Sequence, residues 1–222
     1  SIFLKAKSLE QQGKKIIHME VGEPDFYPPK AVKKALSQVY DKGFTKYGES
    51  KGMLEFRIAL AKKTSERYGT KTENIMVSPG ARFSVFLAIS TLLHPGDEVI
   101  IIEPAWPAYR ENALNAGIKV RTVHTTLEGR WEPSVDQITS MINPNTKMIV
   151  LNYPNNPTGK ILPKKIQDEI AEVAIKNNIY LLSDEIYSDY AYKDWTSVLS
   201  YEYDKSIITQ SFSKSHAMTG FR

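Results

Sequence analysis

No cysteine occurs in the 222 residues. Disulfides, zinc–thiolate sites and thiol nucleophiles are therefore excluded, and the lack fits a cytoplasmic protein. Histidine is scarce: His18, His94, His124 and His216 are the only four, and they do not have metal-ligand spacing. No apolar run is long enough to cross a bilayer, and neither end has a signal-peptide pattern, so no membrane partner is expected. Dinucleotide fingerprints, phosphate-loop motifs, internal repeats and low-complexity segments are also missing. Nor is charge of one sign concentrated. The formal charge is +4, but Lys and Arg are mixed with Glu and Asp, as in KTSERYGTKTE (Lys63–Glu73). That is the pattern of a solvated surface rather than a nucleic-acid footprint.

What is present is a globular composition, 41% hydrophobic and 24% charged, in a chain long enough for one large domain or slightly more. Short runs rich in β-branched residues read as buried strands: Asn74–Val77, Glu98–Ile102, Ile118–Val123, Lys147–Asn152, Ile179–Ser183 and Ser206–Ser211. Amphipathic segments separate them. Ile166, Ile170 and Ala174 recur every four residues on one helix face, behind Pro163 at the first turn. Gly52–Gly69 reads as a second helix, closed by its glycine, and Ala81–Asp97 as a third, more apolar one stopped at Pro95-Gly96. Strands alternating with helices predict an α/β domain, a mostly parallel sheet with helices on both faces. The Pro-rich EPDFYPPK (Glu23–Lys30) is the best joint between an N-terminal arm and the main domain.

Ligands of such sheets bind beyond the carboxyl ends of the strands. Five predicted strand ends lead into SPGARF, EPAWPAY, NYPNNPTG, SDEIYSDY and SFSKSHAMTGFR. Each has a plain structural explanation alone. Asn, Pro and Gly make turns anywhere, an aspartate caps helices, and most lysines are surface lysines. Together, in this order and each at a strand end, they point to one crevice holding an amide, a carboxylate with a tyrosine, a lysine among serines, a glycine turn and a tryptophan.

With VGEPDF and KYGESKGMLEFR ahead of them, these segments resemble the class I and II aminotransferases of fold type I, along nearly the whole chain. The resemblance implies a pyridoxal-phosphate cofactor, with amino acids and 2-oxo acids as substrates. It implies that Lys214 forms the Schiff base and then moves the α-proton, that Asp184 pairs with the ring nitrogen, and that Asn156 and Tyr187 donate to the ring oxygen. If Asp184–Tyr187 is helical, the two side chains share a face. Gly80, Ala81, Arg82, Ser211 and Arg222 would cup the phosphate, and Trp106 would stack on the ring. Gly22, Trp106 and Asn156 would meet the substrate. Tyr47 would reach the phosphate of a neighbouring subunit, which implies a homodimer.

The same resemblance assigns residues 1–30 to an arm and a small-domain segment, and residues 31–222 to an incomplete cofactor-binding domain. It implies that the chain, which opens on Ser1 and stops at Arg222, is the front portion of a longer protein that also carries the arginine for the substrate α-carboxylate. The expected activity is transamination, with aspartate or an aromatic amino acid as donor. A carbon–sulfur β-lyase or a non-catalytic sensing domain are the alternatives.

Overall fold

The computed structural model describes residues 2–19 and 21–221. Five of the apolar runs form one parallel sheet: β1 (Glu98–Glu103), β2 (Lys119–His124), β3 (Thr146–Leu151), β4 (Tyr180–Asp184) and β5 (Ser206–Thr209). Their order is β2-β1-β3-β4-β5. The chain reverses direction across the sheet between β1 and β3, which makes the carboxyl ends of those strands a topological switch point.

Alternation along the strands decides which helix covers which face. Val99, Ile101, Met148, Val150 and Leu182 point to one side, where Val85 and Ile89 of α4 (Ala81–Leu92) and Tyr109 and Ala113 of α5 (Ala108–Asn115) cover them. Ile100, Ile102, Ile149, Leu151 and Leu181 point to the other, under Ile138 of α6 (Val135–Met141) and Ile170 and Ala174 of α7 (Lys164–Lys176). Double coverage is why the central strands are apolar without interruption. The two edges differ: β2 is mostly open to solvent and β5 half-buried.

Ahead of the sheet lie α1 (Ile2–Gln11), α2 (Lys30–Asp41) and α3 (Leu54–Tyr68). The predicted glycine stop holds: Gly69 adopts φ +59°, and its N–H bonds the Ser65 carbonyl. Glu23–Pro29 forms the irregular stretch before α2, where a joint was expected.

One predicted strand is absent from the sheet. Thr72–Asn74 is a single 3₁₀ turn, and the following residues are extended without entering the ladder. The Val77 N–H instead donates to the Lys51 carbonyl at 2.9 Å. Gly52 makes that approach possible, since a Cβ there would lie 2.6 Å from Val77 Cβ. Of the run, Val77 meets the loop before α3, while Met76 stays 57% exposed.

Candidate active site

Four strand ends and one helix start line the carboxyl side of the sheet. Asp184 is the last residue of β4 and 3% exposed. Its two oxygens accept separate hydroxyls: Tyr109 Oη donates to Oδ2 at 2.6 Å, and Thr209 Oγ1 donates to Oδ1 at 2.9 Å. Asn152, just past β3, donates Nδ2 to the Asp184 carbonyl at 2.9 Å and so fixes the backbone as well. Burial pushes the Asp184 carboxyl toward its protonated form, while Tyr109, Thr209 and the Ile186 N–H oppose that shift. Tyr109 is itself pushed well above the ordinary phenol range, by burial first and then by the Asp184 charge. It is therefore the donor of the pair and Asp184 the acceptor.

Beyond β3 the chain turns on Asn155, whose Oδ1 accepts the Thr158 N–H at 3.0 Å and the Thr158 hydroxyl at 2.7 Å. The turn presents Asn156, whose backbone N–H bonds Asn152 Oδ1 at 2.9 Å. Asn156 Nδ2 donates to Tyr187 Oη at 3.3 Å, so these two predicted partners meet. Asp184 and Tyr187, however, do not share a helix face. After Asp184 the chain makes a turn and then a 3₁₀ turn at Ser188–Tyr190, because Glu185 folds inward instead of continuing a helical face. Glu185 is buried, taking Ser197 Oγ on both oxygens and the Val198 N–H on Oε1.

Past β5, Ser211 caps the four-residue helix α8 (Phe212–Ser215) by accepting the Ser213 N–H. That short turn carries Lys214, half-buried, whose Nζ donates to the Gly22 carbonyl. The Lys214 carbonyl in turn accepts Tyr190 Oη at 2.7 Å. VGEPDF thus reaches the lysine by its backbone, at the glycine the sequence singled out.

The glycine turn opens α4. Gly80 sits at φ +89°, outside the range of ordinary residues, and no side chain caps the helix start. Ala81 is buried and Arg82 exposed, its guanidinium 5.8 Å from the centre of the Trp106 ring. Trp106 also meets Tyr109 edge-on, with centroids 5.4 Å apart. Tyr47 does not join this group; its side chain is fully exposed. Arg222 lies outside the described residues. Among the described residues no group of three or more His, Asp or Glu side chains could hold a metal ion.

Tyr109, Thr209, Asn152 and Glu185 escaped the sequence reading. Tyr109 and Asn152 fall inside the quoted motifs, but Tyr109 received no role and Asn152 read as the end of a strand, and Glu185 was overshadowed by its neighbour Asp184. For Tyr109 the available signal was the Trp-x-x-Tyr spacing, nearly one helical turn, which places it beside Trp106.

The chain resembles known proteins over its whole length. It is 36% identical to an aspartate aminotransferase of Thermotoga maritima, with 98% of this chain and 59% of that protein covered. It is 38% identical to an aspartate aminotransferase of Pyrococcus horikoshii, with coverages of 100% and 56%. The solved aspartate aminotransferase of Thermus thermophilus with maleate superposes at a TM-score of 0.95 and 35% identity, over 100% of this chain and 59% of that one. The chain thus spans somewhat over half the length of these relatives. Among the described residues, no helix is long and apolar enough to cross a membrane. The family described as aminotransferase class I and II matches residues 14–222, and to that family this chain belongs.

Proposed function

We propose that this chain forms the cofactor-binding part of a pyridoxal-phosphate-dependent aminotransferase. The reaction moves an amino group between aspartate or an aromatic amino acid and a 2-oxo acid such as 2-oxoglutarate. One observation carries the reading: a carboxylate sealed at the end of β4 with hydroxyl donors and, among the described residues, no cation, beside the Asn156–Tyr187 pair and within the fold that also presents Lys214. A buried carboxylate of this kind suits a ring N–H⁺, since opposite charges stabilise each other where water is excluded. The donor set fits the rest of the group. Asn156 and Tyr187 suit a phenolic oxygen, Trp106 a flat ring, and Gly80–Arg82 with Ser211 a phosphate at a helix start.

Bound there, pyridoxal phosphate supplies a sink for the electron pair left when a substrate Cα–H bond breaks. The chain's residues do the remainder. Lys214 Nζ would hold the cofactor and, once the incoming substrate amino group displaces it, the freed amine would take the α-proton and deliver it on. Asp184 keeps the ring nitrogen protonated. The Gly22 backbone closes over the lysine from the substrate side. Residues 1–30 act as the arm, and residues 31–222 as the cofactor domain. Tyr47, fully exposed here, reaches the phosphate of a second copy in a homodimer. The relatives that are aspartate aminotransferases support an acidic donor, and they favour transamination over carbon–sulfur elimination.

Borohydride reduction of the protein saturated with pyridoxal phosphate, followed by peptide mapping, tests the reading. The expected adduct is on Lys214, and an adduct elsewhere, or none, sinks it. Incubation with aspartate and 2-oxoglutarate, once the remaining portion implied by the family resemblance is supplied, should then yield glutamate and not ammonia. Asp184→Ala should keep the adduct and lose at least a hundredfold in turnover.

A further inference from the structure

Asp184 presents a physical problem that the proposed function alone does not solve. A carboxylate 3% exposed, with no ion pair to it among the described residues, favours its neutral form. A neutral Asp184 would leave the ring nitrogen without its counter-charge. Among the described residues the titratable side chains that feel its charge are Tyr109, Tyr187 and Glu185, and none carries positive charge. Besides the Ile186 N–H, the structure places on the carboxylate one hydroxyl per oxygen, from two different elements: Tyr109 from α5 and Thr209 from the end of β5. Building on the cofactor reading above, we propose that Tyr109 and Thr209 are positioning residues that hold Asp184 ionised and aimed, so that the proton it shares with the cofactor stays on the ring nitrogen.

Two features make this more than packing. First, each hydroxyl meets a different oxygen, so the carboxylate plane is fixed and neither donor substitutes for the other. Second, Tyr109 is also the edge-on neighbour of Trp106, the proposed stacking surface. One side chain therefore sets both the partner of the ring nitrogen and the wall against the ring. The two roles separate by mutation. Tyr109→Phe keeps the ring against Trp106 and removes the donor. Thr209→Val keeps the volume and removes the other donor. Thr209→Ser keeps the hydroxyl.

The measurement is the nitrogen-15 chemical shift of ring-labelled pyridoxal phosphate bound to the protein, which reads protonation directly and requires no turnover. Wild type and Thr209→Ser should show the shift of a protonated ring. Tyr109→Phe and Thr209→Val should each move it toward the neutral ring, the proton partition changing by roughly tenfold to a hundredfold for one charge-assisted bond lost. Should Tyr109→Phe fail to fold, Thr209→Val acts on the opposite oxygen and decides alone. A wild-type shift in a folded, loaded variant overturns the inference and leaves the cofactor reading intact. A wild-type protein that takes up no cofactor overturns both.

Discussion

The residues from α4 to β5 and the residues before α4 are built on different terms. In the first region nearly every residue of the central strands β1, β3 and β4 is buried, and helices cover both faces. In the second, across residues 2–77, only Ala6 and Arg57 are buried among the described residues. Large apolar side chains such as Ile17, Met19 and Tyr27 are more than four-fifths exposed. The leading region is held by points rather than by area. Arg67 bonds Asp189 at 2.7 Å, Gln210 Nε2 bonds Tyr68 Oη at 2.8 Å, Thr219 donates to Glu23, and Lys214 to Gly22. None of these anchors ends in the apolar core. All end on Ser188–Tyr190 or on Gln210–Thr219, the segments that frame the candidate site. The sheet stands on burial, and the leading helices stand on the site.

The largest effect should come from the sheet. Ile149 is fully buried between β1 and β4 under α7. Ile149→Ala removes three buried carbons and leaves a cavity the two-sided packing cannot close, at a cost of about 2–5 kcal/mol. Urea denaturation followed by far-ultraviolet circular dichroism should show it. A loss below about 1 kcal/mol would mean that the strands are not the seat of stability.

The next effect depends on pH. Burial pushes the Glu185 carboxyl up from its ordinary 4.5 to about 7, against the bonds from Val198, Ser197 and Ser183. A carboxyl raised in the folded state binds more protons folded than unfolded between those two values. Stability conferred by this group is therefore greatest below pH 4.5, falls as pH rises to about 7, and is constant above that. The change is about 3 kcal/mol. Denaturation midpoints of wild type and Glu185→Gln, measured from pH 4.5 to 8, should differ in slope over that window. Parallel curves would remove the buried, uncompensated charge from this account.

How much of this was legible in the sequence follows the same division. β1, β3 and β4 were readable because a strand buried on both faces must be apolar throughout, and α7 because one face repeats every four residues. The motifs at the strand ends were readable for the same reason, since the strands located them. Where burial does not dictate the residue, the reading slipped. Asn74–Val77 has a strand's composition, yet its partner is the Lys51 carbonyl, and a single contact with a loop leaves no periodic trace. The turn after Asp184 was taken for a possible helix because the inward fold of Glu185 depends on Ser197 and Val198, twelve and thirteen residues away. Tyr109 carries no mark separating a core tyrosine from one that donates to a buried aspartate. That distinction exists only once α5 is laid against β4.

The smallest effect tests the anchors. Arg67 and Asp189 are each 46% exposed, so their ion pair is largely solvated and worth no more than about 1 kcal/mol. The Arg67 guanidinium also lies 5.9 Å from the centres of the Tyr68 and Trp195 rings, which adds little at such exposure. Arg67→Ala should therefore barely move the global midpoint. Its effect should be local: amide hydrogens in the last turns of α3 should exchange severalfold faster, while those of β3 and β4 keep wild-type rates. Added salt should reproduce part of the change in the wild type, because exposed charges are screened. If Arg67→Ala instead shifts the global midpoint as far as Ile149→Ala does, the leading helices share the stability of the sheet, and the contrast between the two regions is lost.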